Sequence, residues 1–178
     1  MVKYILACAI NFVFLTSAAY AENQSENVSK VIYQKEADLN QDGKTDRLLI
    51  EENSEGKRSF KILLQDSKKY WNTAVENHNM ILCRDCGGVS TTEPLESVEV
   101  KRNSFEVTQE GGSREKWTST YKFQYSPKLN TWVLKKAKME VYDTITGKNS
   151  EKRKKINRLK PIKLQDFNYD ETFNSLTN

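Results

Sequence analysis

Ala37-Asp38-Leu39-Asn40-Gln41-Asp42-Gly43-Lys44-Thr45-Asp46-Arg47-Leu48-Leu49-Ile50 sets oxygen-bearing side chains at alternate positions, Asp38, Asn40 and Asp42, with a fourth at Asp46. Short oxygen side chains in that spacing turn inward and wrap a hard cation, and Gly43 supplies the φ > 0 turn that closes such a loop. The carbonyl of Lys44 adds a further oxygen. The loop runs straight into Arg47-Leu48-Leu49-Ile50, an apolar run of strand length rather than the start of a helix.

Working outward, the pattern is strand, turn, strand. Val31-Ile32-Tyr33 is a short strand before the loop, and 47–52 is the strand after it. Asn53-Ser54-Glu55-Gly56 turns, 59–65 returns, Asp66-Ser67-Lys68-Lys69 turns again, and 70–76 follows with Trp71 and Val75 as core candidates. The second half repeats this. The segments 97–101, 104–109, 116–125 and 131–142 alternate apolar and polar residues, punctuated by Arg102-Asn103, Glu110-Gly111-Gly112-Ser113 and Ser126–Asn130. Trp117, Ser119, Tyr121, Phe123 and Tyr125 share one face, more in the manner of a core than of a sugar-binding platform. The expected fold is all-β: antiparallel meanders in a single domain, propeller-blade-like or an open sandwich. Residues 31–147 form the β domain, with a first meander over 31–76 and a second over 95–143. Residues 148–178, basic and then aromatic (Phe167, Tyr169, Phe173), read as an extended arm docking on the sheet.

The chain has 178 residues, enough for one domain with a core; 10% of them are aromatic, which argues against disorder, and 29% are charged. The net charge of +4 is spread through interleaved acids and bases, so nucleic acid is not the expected partner. Residues 1–21 read as a secretory signal peptide: Lys3, an apolar run over 5–15, and Ala19-Tyr20-Ala21 as the cleavage site, with 22–30 a flexible lead-in. The expected location is the periplasm or outside the cell. Ile5-Leu6-Ala7-Cys8 supports a rival reading as a lipoprotein anchored through Cys8, but the apolar run continues past it. No later segment is apolar enough for a transmembrane span.

The loop departs from an EF-hand, whose twelfth position is a bidentate Glu, because Leu49 stands there. It resembles the calcium loops of FG-GAP/VCBS-type repeats, in which an Asp-x-Asn-x-Asp-Gly-x-x-Asp loop leads into an apolar strand. Asp38, Asn40, Asp42, Gly43 and Asp46 fill that pattern. The resemblance implies Ca²⁺ held by Asp38, Asn40, Asp42, Lys44 (through its carbonyl) and Asp46. The competing reading is an Asx-rich turn without an ion. The chain also resembles a group of exported bacterial proteins that carry such a loop with a Cys-Gly-Gly segment. Cys86-Gly87-Gly88, Gly111-Gly112-Ser113, Trp132 and Phe167-Asn168 carry that resemblance, which implies fold and compartment only.

Cys83-Arg84-Asp85-Cys86 admits a disulfide, a redox dithiol or half of a metal site. No thioredoxin-like βαβ pattern surrounds it, and Asp85 would raise a thiol pKa. A zinc site has His78 as its one histidine. In an exported chain the expectation is a local Cys83–Cys86 disulfide. His78 stands in a polar Asn-His-Asn stretch unsuited to a general base. Acid pairs such as Glu51-Glu52 and Glu96-Glu99 arise readily in so charged a chain. The functional expectation is therefore a non-enzymatic, Ca²⁺-binding module that acts on a protein partner, as an immunity or inhibitor protein does. The alternative is a periplasmic enzyme, either a dithiol oxidoreductase or a hydrolase.

Overall fold

In a computed structural model, residues 29–89 and 92–177 are described. The expected signal peptide, Cys8 and the expected lead-in up to residue 28 lie outside them. The protein is all-β, with two antiparallel meanders: β1 (Lys30–Ala37), β2 (Asp46–Glu52), β3 (Arg58–Gln65) and β4 (Trp71–Asn77) in one sheet, and β5 (Leu95–Lys101), β6 (Ser104–Gly112), β7 (Glu115–Ser126), β8 (Thr131–Asp143) and β9 (Asn149–Arg153) in the other. A 3₁₀ turn at Leu164–Asp166 and a helix, α1 (Tyr169–Thr177), follow.

Period-two alternation builds both sheets. Along β6, Phe105, Val107 and Gln109 are buried, and along β3 Arg58, Phe60 and Ile62 are. The inner faces meet in one open sandwich: the Phe60 ring lies 5.0 Å from Phe105, which stacks on Phe123 at 5.5 Å. The aromatic face of β7 is core, with Tyr121 and Phe123 fully buried and Trp117 and Tyr125 partly so. Each such side chain, taken fully from water, contributes about 1.5–3 kcal/mol.

Main-chain bonds at positive φ make the turns. Gly56 closes the β2–β3 turn at φ 75°, and Asn103 closes β5–β6 at φ 60°, a conformation that Asn tolerates better than most residues.

The segment 148–178 differs from the extended arm expected of it. β9 pairs along β8, from Tyr142 opposite Asn149 to Lys138 opposite Arg153. All five of its residues are exposed, so main-chain bonding alone makes this edge strand and no alternation announces it. Tyr169, Thr172, Phe173 and Leu176 are buried at helical spacing. Asn168 Oδ1 caps this helix by accepting the Glu171 N–H at 3.1 Å. The aromatic residues do dock: Phe167 lies 5.1 Å from Tyr121 and 5.2 Å from Phe123.

Candidate metal centre

The Asp38–Asp46 loop joins β1 to β2 and sits at the seam between the sheets. Leu39 is fully buried in the core. Its carbonyl accepts the Trp132 Nε1–H at 3.2 Å, and the Asp38 carbonyl accepts the Asn103 N–H at 3.0 Å. The loop thus grips β8 and the β5–β6 turn.

Inside the loop the side chains take up its backbone donors. Asn40 Oδ1 accepts the Asp42 N–H at 3.0 Å, and Asp42 Oδ1 the Lys44 N–H at 2.8 Å. Asp38 Oδ2 accepts the Gly43 N–H at 3.3 Å and lies 3.3 Å from Arg102. Gln41 and Gly43 hold φ of 65° and 84°, so the chain winds tightly here. Asp46 is fully buried and plays a different part. Its Oδ2 accepts N–H bonds from Leu39 at 3.0 Å and Asn40 at 3.3 Å, and its Oδ1 one from Gln65 at 3.4 Å. Burial raises its pKa, opposed in part by the Leu39 and Gln65 donors.

Two observations bear on a cation. Asp38 Oδ1 is buried with no hydrogen-bond partner, which is costly unless something positive meets it. Against this, no three His, Cys, Asp or Glu side chains converge as a metal-holding group among the described residues. A cation there would need Asn40 and main-chain carbonyls beside Asp38 and Asp42. That donor set is all oxygen and suits Ca²⁺.

Cys83 and Cys86 are joined by a disulfide, with Cα atoms 5.1 Å apart. The bridge lies in a turn rather than at a helix N-terminus, and the Arg84 guanidinium turns to Glu52 at 3.0 Å. The segment is tied at three points: Arg84 N–H to Gly56 O at 2.9 Å, Leu82 N–H to Gln109 Oε1 at 2.8 Å, and Gly112 N–H to Gly87 O at 2.7 Å. The two glycine pairs of the sequence therefore meet across space.

Beneath this segment is a group that sequence reading missed. Arg58 is 3% exposed and bonds Glu52 at 2.8 Å and Glu93 at 2.5 Å. Burial works against its charge, but its bonds to Glu93 and Glu52 outweigh that and raise its pKa. The adjoining cleft, about 460 Å³, holds Glu51, Lys61, Glu76 and His78. Lys61 bridges Glu51 at 2.9 Å and Glu76 at 3.2 Å, and these carboxylates, Glu51 first, hold its ammonium charged. Glu51 and Glu76 are thus tied in ion pairs to one lysine.

Neither family models nor curated proteins match this chain. Among solved structures, a type IV secretion system related protein from Xanthomonas is similar, with a TM-score of 0.42 and 20% identity over 74% of this chain and 57% of that one. The chain spans little more than half of that protein's length. A likeness of this degree transfers neither activity nor partner.

Proposed function

We propose that the protein is an exported, non-enzymatic β module that binds Ca²⁺ at the Asp38–Asp46 loop and acts by docking a protein partner. The observation that carries the reading is the buried, unpartnered Asp38 Oδ1 in a loop of the FG-GAP-like pattern. Asp38, Asn40 and Asp42, with the Lys44 carbonyl, hold the ion. Asp46 shapes the turn below them through its three N–H donors. The ion is structural: it offsets carboxylate repulsion at the point where the loop grips Trp132 and Asn103. The lysine-bridged acids in the cleft near Arg58 and the absence of a helix N-terminus at the disulfide favour binding over catalysis.

The test is thermal unfolding in Ca²⁺ and in EGTA, for the wild type and for Asp42→Ala. An ion at 100 times its Kd adds about 2.7 kcal/mol, a rise of several degrees that the variant should lack. Equal midpoints with and without Ca²⁺ would reduce the loop to an Asx turn. Partner docking is tested by affinity capture from a periplasmic extract, where recovery of no stoichiometric protein refutes it.

A further inference from the structure

The β7–β8 turn and the segment after β9 form one edge of the second sheet. The Leu134 N–H bonds Ile162 O at 2.9 Å, and Val133 bridges Lys163, which fastens the returning segment to β8. Between them lies an open cavity of about 780 Å³. Its charged walls are Lys128, Lys135 and Arg158, its apolar ones include Leu129, Ile156 and Leu159, and no acidic or aromatic side chain lines it.

Two ordered loop tips there each place a leucine beside a cation. Asn157 Oδ1 accepts the Leu159 N–H at 2.9 Å and the Lys160 N–H at 3.3 Å, closing a turn that holds Leu159 out between Arg158 and Lys160. In the β7–β8 turn, Tyr125 O–H bonds Asn130 Oδ1 at 2.7 Å and the Leu129 N–H bonds Ser126 O at 3.1 Å, so Leu129 stands out beside Lys128. Leu159 is 93% exposed and Leu129 39%. Lys128, Lys135, Lys155, Arg158 and Lys160 are exposed, and none makes an ion pair among the described residues.

We infer that this edge docks on an anionic phospholipid surface. Ordered turns that hold leucines out between cations suit an interface in which the leucines enter the acyl boundary and the cations meet phosphates. A nucleic acid would offer phosphates but no apolar layer for Leu159, and Tyr125, the ring at the base of the β7–β8 turn, is partly buried and packed 5.2 Å from Trp132 rather than open to a base. The inference is independent of the cation reading.

The test is co-sedimentation of the protein with vesicles of phosphatidylcholine alone and of phosphatidylcholine with phosphatidylglycerol. The wild type should sediment only with the anionic vesicles, less so at high salt. Arg158→Glu/Lys160→Glu should weaken binding by about 30-fold or more, and Leu159→Asp by about tenfold. Lys57→Glu/Lys116→Glu, which changes net charge equally elsewhere, should weaken it far less. No sedimentation with anionic vesicles, or equal loss in the two double variants, overturns the inference. So does a shift of a DNA duplex by protein that leaves vesicles unbound.

Discussion

Gly111→Ala puts the backbone contact between the two glycine pairs under direct test. A methyl group built at Gly111 falls inside contact distance of Gly87 O and Trp117 Cζ2, and 2.9 Å from Gly87 C. Neither neighbour has room to give way. Gly87 O accepts the Gly112 N–H at 2.7 Å, and Trp117 stands opposite Gly111 in the β6–β7 ladder with its ring 6.3 Å from Tyr169. Overpacking of this kind costs about 1–3 kcal/mol, and losing the Gly112 bond about 1 more, so about 2–4 in all. For a chain of this size that lowers the midpoint by about 6–12 °C. Gly43→Ala is the comparison: its φ of +84° strains an alanine, but nothing lies within 4 Å of the new methyl. Strain alone costs about 1–2 kcal/mol. Thermal and urea unfolding of both variants, with hydrogen exchange at the Gly112 amide, gives the readout. A Gly111→Ala protein that loses no more stability than Gly43→Ala, with Gly112 still protected, would refute the reasoning.

Arg58→Met should leave Glu52 and Glu93 without their shared cation and cost about 2–3 kcal/mol in urea unfolding, below the usual figure for a buried pair because Glu93 is half exposed; a variant as stable as wild type would show that the ion pairs contribute nothing net. Burial acts to raise the Glu93 pKa, but the Arg58 and Leu95 donors outweigh it, so the folded value lies below the ordinary 4.5. A depressed folded pKa gives stability that is present above the unfolded value and lost as pH falls through the folded one. Wild type should therefore lose more stability than Glu93→Gln between about pH 5 and pH 3, and parallel profiles would contradict this.

Fold class and strand order were legible because antiparallel meanders write their buried face into every second residue. Phe105, Val107 and Tyr121, Phe123 alternate as the sequence suggests, and glycine or Asn marks the sharp turns. β9 was illegible because it buries nothing. The helix at Tyr169–Thr177 was illegible in part because Phe167, Tyr169 and Phe173 suit either an extended or a helical segment. The candidate loop was readable as a donor pattern, but the division of labour within it was not. Asp38 and Asp46 look alike as letters, yet one keeps a buried oxygen free and the other binds three backbone N–H groups.

By itself the sequence determined what depends on neighbours along the chain: the alternation that makes two meanders, the Asx-Gly loop, and cysteines close enough to bridge. Only the tertiary structure decided what depends on distant partners. It set Gly87 against Gly112, brought Glu52 and Glu93 to a buried Arg58, and assembled two leucine-tipped turns on one basic edge. Apart from Glu52, which faces Arg58 across the β2–β3 hairpin, those meetings join residues separated by 25 positions or more. Local propensity carries no record of them, because they are fixed by how two sheets close over a shared core.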